Sequence, residues 1–132
     1  MLLHKFIRQT NVRMKQQKIL AAFKNAFEGL WYFFLHERNG KIQLCAAIFV
    51  IVLAICLGVS VTEWLALLLC IGAVLSLEMV NSAIEKLCDL VHKEYHPVIK
   101  IIKDVSAAAV LFASIISIAI ACFIFLPKMN LL

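Results

Sequence analysis

The chain has few glycines and none of the short motifs that soluble nucleotide-binding or hydrolytic enzymes use. Its four glycines are scattered and form no phosphate-binding run such as GxxxxGK[ST]. No Ser-His-Asp arrangement and no HExxH motif is present, and no nucleic-acid motif accompanies the net charge of +5. The five cysteines lie in apolar segments without metal-type spacing, so we interpret them as reduced packing residues. The sequence therefore predicts no nucleic-acid partner and no zinc-hydrolase chemistry.

Charged residues are also scarce, and apolar residues take their place. Hydrophobic residues make up 64% of the chain, charged residues 16%, and the mean hydropathy is +0.96, unlike a soluble globular domain. Three segments reach the roughly 20 residues that a bilayer core requires. They are residues 42–61, 64–91 and 105–126. The sequence predicts a single all-α membrane domain over residues 1–132, with three transmembrane helices.

The distribution of lysine and arginine predicts the orientation of these spans. Of 13 such residues, eight precede the first span, four lie between positions 86 and 103, and none lies in the loop 58–63. The positive-inside rule places the N-terminus and the loop 91–103 in the cytoplasm, with the C-terminus outside. No cleavable signal peptide is evident at the N-terminus. The positive charge thus reflects orientation and anionic lipid headgroups.

Residues 1–36 are amphipathic and too polar to span a membrane. The apolar residues of their second half share one helical face: Phe23, Phe27, Leu30, Trp31 and Phe34. A basic helix with an aromatic face is typical of a segment that lies in the membrane interface. We therefore expect an N-terminal interfacial helix on the cytoplasmic side, leading to the polar residues 36–39.

A row of polar residues interrupts the second span. Glu78, Asn81, Glu85 and Asp89 have offsets of 0, 3, 7 and 11 residues, which fall within about 80° of one helical face. Carboxylates at membrane depth are costly and by default mark a functional site. The alternative is a polar seam that holds neighbouring helices together, because amides and carboxyls hydrogen-bond across bundles. Such a seam does not require three acids in register.

These residue types are compatible with phosphoryl transfer. The side predicted to be cytoplasmic also contains Glu37, Lys103 and Asp104. Carboxylates can hold Mg²⁺ together with substrate phosphates, and a lysine can neutralise phosphate charge. A further carboxylate can take the proton of an alcohol. A nucleotide-using enzyme, an ion-conducting bundle and a structural bundle all remain compatible with this composition.

The pattern ExxNSAIExxxD over residues 78–89, followed by KDVSAAAVL from Lys103, resembles the signature of a known family. It is the family of small bacterial integral-membrane lipid kinases, which contains prokaryotic diacylglycerol kinase and the undecaprenol kinases. The resemblance covers residues 23–128, including FKNAFEGL, ERN at 37–39 and FLPK at 125–128. It implies a homotrimer in the bacterial cytoplasmic membrane, with sites built between protomers. The implied activity is transfer of the ATP γ-phosphate to the hydroxyl of a membrane lipid alcohol.

The resemblance also implies roles for individual residues. Glu85 matches the catalytic carboxylate, the candidate general base, and Glu37 and Glu85 match the pair that ligates Mg²⁺ on ATP. Glu78 matches a second catalytic acid, and Asp89 and Asp104 match polar positions on the nucleotide side. Glu78 and Asp89 are also candidates for binding the lipid substrate. The residues expected to bind ATP are Glu37, Asn81, Glu85, Lys103 and Asp104.

One departure from the family pattern bears on the lipid substrate. The diacylglycerol type tends to show a Gly-Ser pair after KDM, where this chain has Ser106 and Ala107. The segments VSVTEW, YHP and FLPK are more similar to the undecaprenol kinases of Gram-positive bacteria. We therefore predict undecaprenol as the acceptor, with diacylglycerol as the alternative. A non-catalytic membrane bundle or a transporter accessory subunit is the alternative of a different class.

Overall fold

The structure, a computed structural model, describes residues 2–92 and 94–129, with side chains from Lys18 onward. These residues form four helices: α1 (Leu2–His36), α2 (Arg38–Cys56), α3 (Val61–Val91) and α4 (Pro97–Met129). Helices α2, α3 and α4 are each long and apolar enough to cross a membrane. The prediction of an all-α protein with three such helices is confirmed.

Helix α1 is continuous over 35 residues and forms a compact unit of its own. Phe23, Phe27 and Trp31, from the predicted aromatic face, expose 64%, 69% and 70% of their surface. Lys24 and Glu28 form an exposed ion pair one turn apart, at 3.8 Å. The aromatic side chains are thus accessible, as an interfacial helix requires. The side chains of residues 1–17 lie outside the described part.

A single extended residue, Glu37, separates α1 from α2. Its backbone dihedrals, φ −87° and ψ 123°, are those of a strand, and it occupies the N-cap position of α2. Its carboxylate makes no capping bond to the first turn of α2. The side chain is therefore available for a contact elsewhere in the bundle.

The turn between α2 and α3 occurs earlier than the hydrophobic pattern predicted. The first span was expected to reach residue 61, but α2 ends at Cys56 and Gly58 adopts a left-handed φ of 60°. Ser60 then caps α3: its Oγ accepts the Glu63 N–H at 3.3 Å, and a Glu63 carboxylate oxygen accepts the Ser60 N–H at 2.6 Å. Because of this capping box, α3 begins three residues before the predicted start of the second span.

Helix α4 also begins before its predicted span, at Pro97 rather than residue 105. Proline suits the first position of a helix because its missing N–H would lack a helical partner there. The N–H of Val98 is donated to Nδ1 of His96 at 3.3 Å. Lys103 and Asp104, expected at the end of a loop, are therefore fixed on the second turn of a helix.

Helix α3 packs against both α2 and α4. At the end where α3 begins, the buried residues Ala54, Leu67 and Phe125 belong to one apolar cluster that joins all three helices. An ion pair at 3.2 Å between Lys128 Nζ and Glu63 links the last turn of α4 to the first turn of α3. This end of the bundle is thus closed by apolar packing, and the polar residues of α3 lie towards the other end.

Candidate functional site

The polar residues of α3 become more exposed along the helix. Glu78 exposes only 3% of its surface and Asn81 only 4%, whereas Glu85 is half-buried and Asp89 is exposed. Measured along the axis at 1.5 Å per residue, Glu78 lies about 25 Å from Val61 and Glu85 about 36 Å from it. With Val61 at one boundary of a hydrocarbon core about 30 Å thick, Glu78 lies inside the core and Glu85 beyond it. The polar face therefore leads from the lipid to the aqueous boundary.

Asn81 connects the acids of α3 to α4. Its Nδ2 donates to Glu85 Oε1 at 3.1 Å, and its Oδ1 lies 2.6 Å from the Ser106 hydroxyl of α4. Both ends of the buried amide are thus hydrogen-bonded within the chain. Asn81 forms the interhelical contact that the polar-seam interpretation describes, and it also holds one oxygen of Glu85.

Two ion pairs surround the exposed end of the polar face. Lys103 Nζ lies 2.5 Å from Asp89 Oδ1 and joins α4 to α3. Lys86 Nζ lies 2.7 Å from Glu37 Oε1 and joins the start of α2 to α3. The predicted phosphate-binding lysine and a predicted Mg²⁺ ligand are therefore both brought next to α3. Each pair has one exposed and one partly buried partner, and ion pairs with an exposed partner contribute only about 0–1 kcal/mol, so stronger ligands can replace them.

Asp104 pairs within its own helix and not with α3. Its carboxylate lies 2.5 Å from Lys100 Nζ, one turn earlier on α4, and both side chains are exposed. Successive helical residues point about 100° apart, so Asp104 and its neighbour Lys103 face different directions. The expected contact of Asp104 with ATP stays a prediction.

Glu78 contains a buried oxygen without a hydrogen-bond partner. Among the described side chains, Glu78 Oε1 is the buried polar atom for which no donor or acceptor lies within reach. An unsatisfied buried polar group costs about 1–3 kcal/mol, and more if it is charged. A group this costly is a candidate for a function that requires it.

An apolar groove approaches Glu78 from the closed end of the bundle. It has a volume of about 310 Å³ and lies between α2, α3 and α4. On α3 its wall runs from Leu67 to Leu75, so it ends three residues before Glu78. The buried carboxyl is thus adjacent to a space that an apolar chain can occupy.

The carboxylates fit a magnesium ion that arrives with a polyphosphate. In the described part of the chain, no three His, Cys, Asp or Glu side chains are close enough to hold a metal on their own. Mg²⁺ usually keeps several waters and needs only one or two carboxylates beside substrate phosphates. Glu85 has the required oxygen ligands, and Glu37 contacts Lys86, the residue that follows Glu85. The residues present therefore fit a metal ion that is held jointly by the protein and the substrate phosphates, and not one that the protein holds alone.

Sequence reasoning missed two contacts of this site. Lys86 was counted only among the basic residues that set orientation, although it is a lone cation inside an acidic stretch and pairs with Glu37. Ser106 was noted as a departure from the diacylglycerol-type pattern and not as a site contact, although its hydroxyl contacts Asn81. The charge of Lys86 among acidic residues could have indicated an ion pair in the sequence. The contact of Ser106 with Asn81, 25 residues away, becomes visible only when α3 and α4 are packed together.

Comparison with known proteins points to one family. Residues 24–125 match the prokaryotic diacylglycerol kinase family. The chain is 36% identical to an undecaprenol kinase of Bacillus subtilis over 117 residues, which are 89% of this chain and 95% of that protein. It is 34% identical to a diacylglycerol kinase of Synechocystis over 112 residues, 84% of this chain and 64% of that protein. A diacylglycerol kinase of Escherichia coli K12 is 29% identical over 107 residues, 81% of this chain and 88% of that protein. The family match includes every residue of the candidate site.

The unpartnered oxygen of Glu78 generates a prediction about stability. We expect Glu78→Met to raise the thermal unfolding midpoint of the protein in detergent, equivalent to about 1–3 kcal/mol, because methionine has a similar length and no oxygen to satisfy. The matched control is Glu28→Met, at an exposed glutamate of α1, which should change stability by less than about 0.5 kcal/mol. A lower midpoint for Glu78→Met would mean that both of its oxygens have partners in the folded protein.

Proposed function

The chain belongs to the prokaryotic diacylglycerol kinase family, and we propose that it transfers the γ-phosphate of ATP to the hydroxyl of undecaprenol. The observation that carries this proposal is the graded polar face of α3. Glu78 is buried next to an apolar groove, and Glu85, two turns further, is half-buried beside two ion pairs. Such a face can receive a lipid alcohol from the bilayer and a nucleotide from water.

We propose that the two glutamates have different tasks. The sequence pattern assigned both general-base catalysis and Mg²⁺ binding to Glu85. However, Glu85 already accepts a hydrogen bond from Asn81 and lies near the aqueous boundary, which suits a metal ligand. Glu78 has an unpartnered oxygen at lipid depth, which suits a base that accepts the proton of an alcohol. Glu78 is therefore assigned to the lipid hydroxyl and Glu85 to the metal.

In the proposed reaction, the alcohol oxygen attacks the γ-phosphorus as its proton passes to Glu78. The bond between the γ-phosphorus and the bridging oxygen breaks, and ADP leaves with that oxygen. Glu85 and Glu37 would hold Mg²⁺ with the ATP phosphates, which supplies charge neutralisation. Lys103 would leave Asp89 and pair with a phosphate oxygen of ATP, since a lysine can neutralise a carboxylate or a phosphate.

Two expectations were open for Asp89: the resemblance implied a position on the nucleotide side, and Asp89 was also a candidate for binding the lipid substrate. Asp89 is exposed and paired with Lys103 on α4, which supports the nucleotide side. We propose that Asp89 orients Lys103 towards the nucleotide. Asp104 keeps its proposed place among the ATP contacts, reached from its exposed position on α4.

Two observations support undecaprenol over diacylglycerol as the acceptor. The Bacillus subtilis relative is named an undecaprenol kinase, and it is matched over 95% of its length. In addition, diacylglycerol carries ester carbonyls that a specific site would satisfy with donors. The Ser106 hydroxyl, one candidate donor, already contacts Asn81 and the Lys103 carbonyl. The groove that ends one turn before Glu78 is lined mainly by apolar side chains, and its polar members are Gln43, Ser114 and Ser117. An isoprenoid alcohol needs only such a groove and one acceptor for its hydroxyl.

We further propose that the protein is a homotrimer of the bacterial cytoplasmic membrane, with its N-terminus in the cytoplasm. The distribution of lysine and arginine supports the orientation. Three consecutive alanines, Ala107 to Ala109, are exposed on α4, and small residues allow membrane helices to approach closely. A neighbouring protomer could then complete the site at the exposed end of α3.

The choice of substrate predicts a ratio of specificity constants. With equal mole fractions of the two lipids in the same bilayers, we expect kcat/KM to be at least about tenfold higher for undecaprenol than for diacylglycerol. Labelled phosphate from ATP, recovered in each lipid, measures both rates in one experiment. A preference for diacylglycerol would overturn the substrate but keep the kinase activity. Transfer to neither lipid would overturn the proposed function.

The division of tasks predicts different kinetic effects at the two glutamates. Glu78→Gln should lower kcat by about 10²- to 10⁴-fold without changing the KM for Mg²⁺-ATP, because an amide cannot accept the proton. Glu85→Gln should raise the Mg²⁺ concentration needed for half-maximal rate, with partial rescue by excess Mg²⁺. Glu94→Gln, at an exposed position between α3 and α4, is the control. The reverse pattern would return the role of base to Glu85.

A further inference from the structure

The Ser106 hydroxyl of α4 contacts the oxygen end of the Asn81 side chain. Ser106 Oγ lies 2.6 Å from Asn81 Oδ1 and 2.9 Å from the carbonyl oxygen of Lys103. Asn81 is almost completely buried, so water does not compete for its amide. A hydroxyl has one proton, and it can donate to only one of these two acceptors at a time.

The two ends of an amide have opposite hydrogen-bonding character. When Ser106 donates to Oδ1, the Nδ2 group of Asn81 is turned towards Glu85 and donates to Oε1 at 3.1 Å. If the amide rotated by half a turn, its oxygen would face the oxygen of the Glu85 carboxylate, and the two would repel each other. Glu85 thus disfavours the rotated amide, and the Ser106 hydroxyl stabilises the same rotamer when it donates to Oδ1.

We propose that Ser106 is a positioning residue for phosphoryl transfer. It fixes the Asn81 amide, the amide binds Oε1 of Glu85, and the second oxygen of Glu85 remains available to Mg²⁺-ATP. This inference rests on the proposed function, because it assumes that Glu85 serves the nucleotide. Hydrogen bonds to a metal-binding carboxylate fix its orientation and its basicity as a ligand.

The position of Ser106 also distinguishes this chain within the pattern it resembles. The diacylglycerol type tends to show a glycine after KDM, where this chain has Ser106. Glycine has no hydroxyl, so it offers Asn81 no side-chain donor from this place on α4. The resemblance to that type therefore does not imply the Ser106 contact, which needs its own test.

Replacing Ser106 by threonine or by valine separates the effect of the hydroxyl group from the effect of side-chain shape. The two side chains are almost identical in size and branching, and only threonine keeps the donor. We expect Ser106→Val to raise the KM for Mg²⁺-ATP about 3- to 10-fold, the effect of losing roughly one hydrogen bond, and to leave the KM for the lipid unchanged. Ser106→Thr should remain close to the unmodified protein.

Thr62→Val is the matched control, because it removes a hydroxyl from an exposed position at the opposite end of α3. It should change neither KM. Ser106→Ala is the second variant if valine prevents folding, and it should behave as valine does. Equal KM values for the threonine and valine variants would overturn the inference. A loss of thermal stability without a change in KM would reduce Ser106 to a structural contact and would overturn it as well.

Equilibrium binding of Mg²⁺-ATP without lipid separates this inference from the proposed function. If the unmodified protein phosphorylates no lipid alcohol, the proposed function fails. The dissociation constant for Mg²⁺-ATP then still reports on Ser106, and we expect it to rise about 3- to 10-fold in Ser106→Val but not in Ser106→Thr. Binding that is equal in both variants, or absent in the unmodified protein, would overturn the role of Ser106.

Discussion

Hydrocarbon offers no hydrogen bonds, so every polar group that α3 carries into the membrane must find its partner within the protein. Asn81 meets this constraint with Glu85 on its own helix and Ser106 on α4. Glu78 does not meet it within the described part of the chain, because its Oε1 has no partner. The apolar groove lies before the start of this polar face, and the half-buried Glu85 and the two ion pairs lie towards its exposed end.

The two ends of the bundle differ in a way that suits an enzyme acting at a membrane boundary. One end is closed by an apolar cluster, a capped α3 and the ion pair of Glu63 with Lys128. The other end is held by the more exposed pairs of Glu37 with Lys86 and of Asp89 with Lys103. Ion pairs with an exposed partner are weak, so they are easier to exchange for another ligand than the apolar packing of the closed end. A lipid kinase needs this combination, because its two substrates arrive from different phases.

Periodicity and hydropathy were sufficient to predict the three apolar helices and the shared face of Glu78, Asn81 and Glu85, because these depend on local geometry. The helix ends were predicted less well: Gly58 and the Ser60 cap moved the first turn, and Pro97 began α4 early. The contacts of Lys86 and Ser106 lie outside what local patterns contain, since each depends on how two separate segments pack. The unequal burial of Glu78 and Glu85 likewise required the packed bundle.

The central claim, that the polar end of α3 binds the metal–nucleotide complex, is tested most directly by paramagnetic relaxation with Mn²⁺-ATP. Isoleucine methyl groups report on both ends of the bundle: Ile84 precedes Glu85, and Ile124 lies in the apolar cluster at the closed end. We expect strong, saturable relaxation enhancement at Ile84 and little at Ile124, and in Glu85→Gln the enhancement at Ile84 should need a higher Mn²⁺-ATP concentration for half-saturation. Enhancement at Ile124, or a half-saturation at Ile84 that is unchanged in Glu85→Gln, would contradict the assignment of this face to the nucleotide.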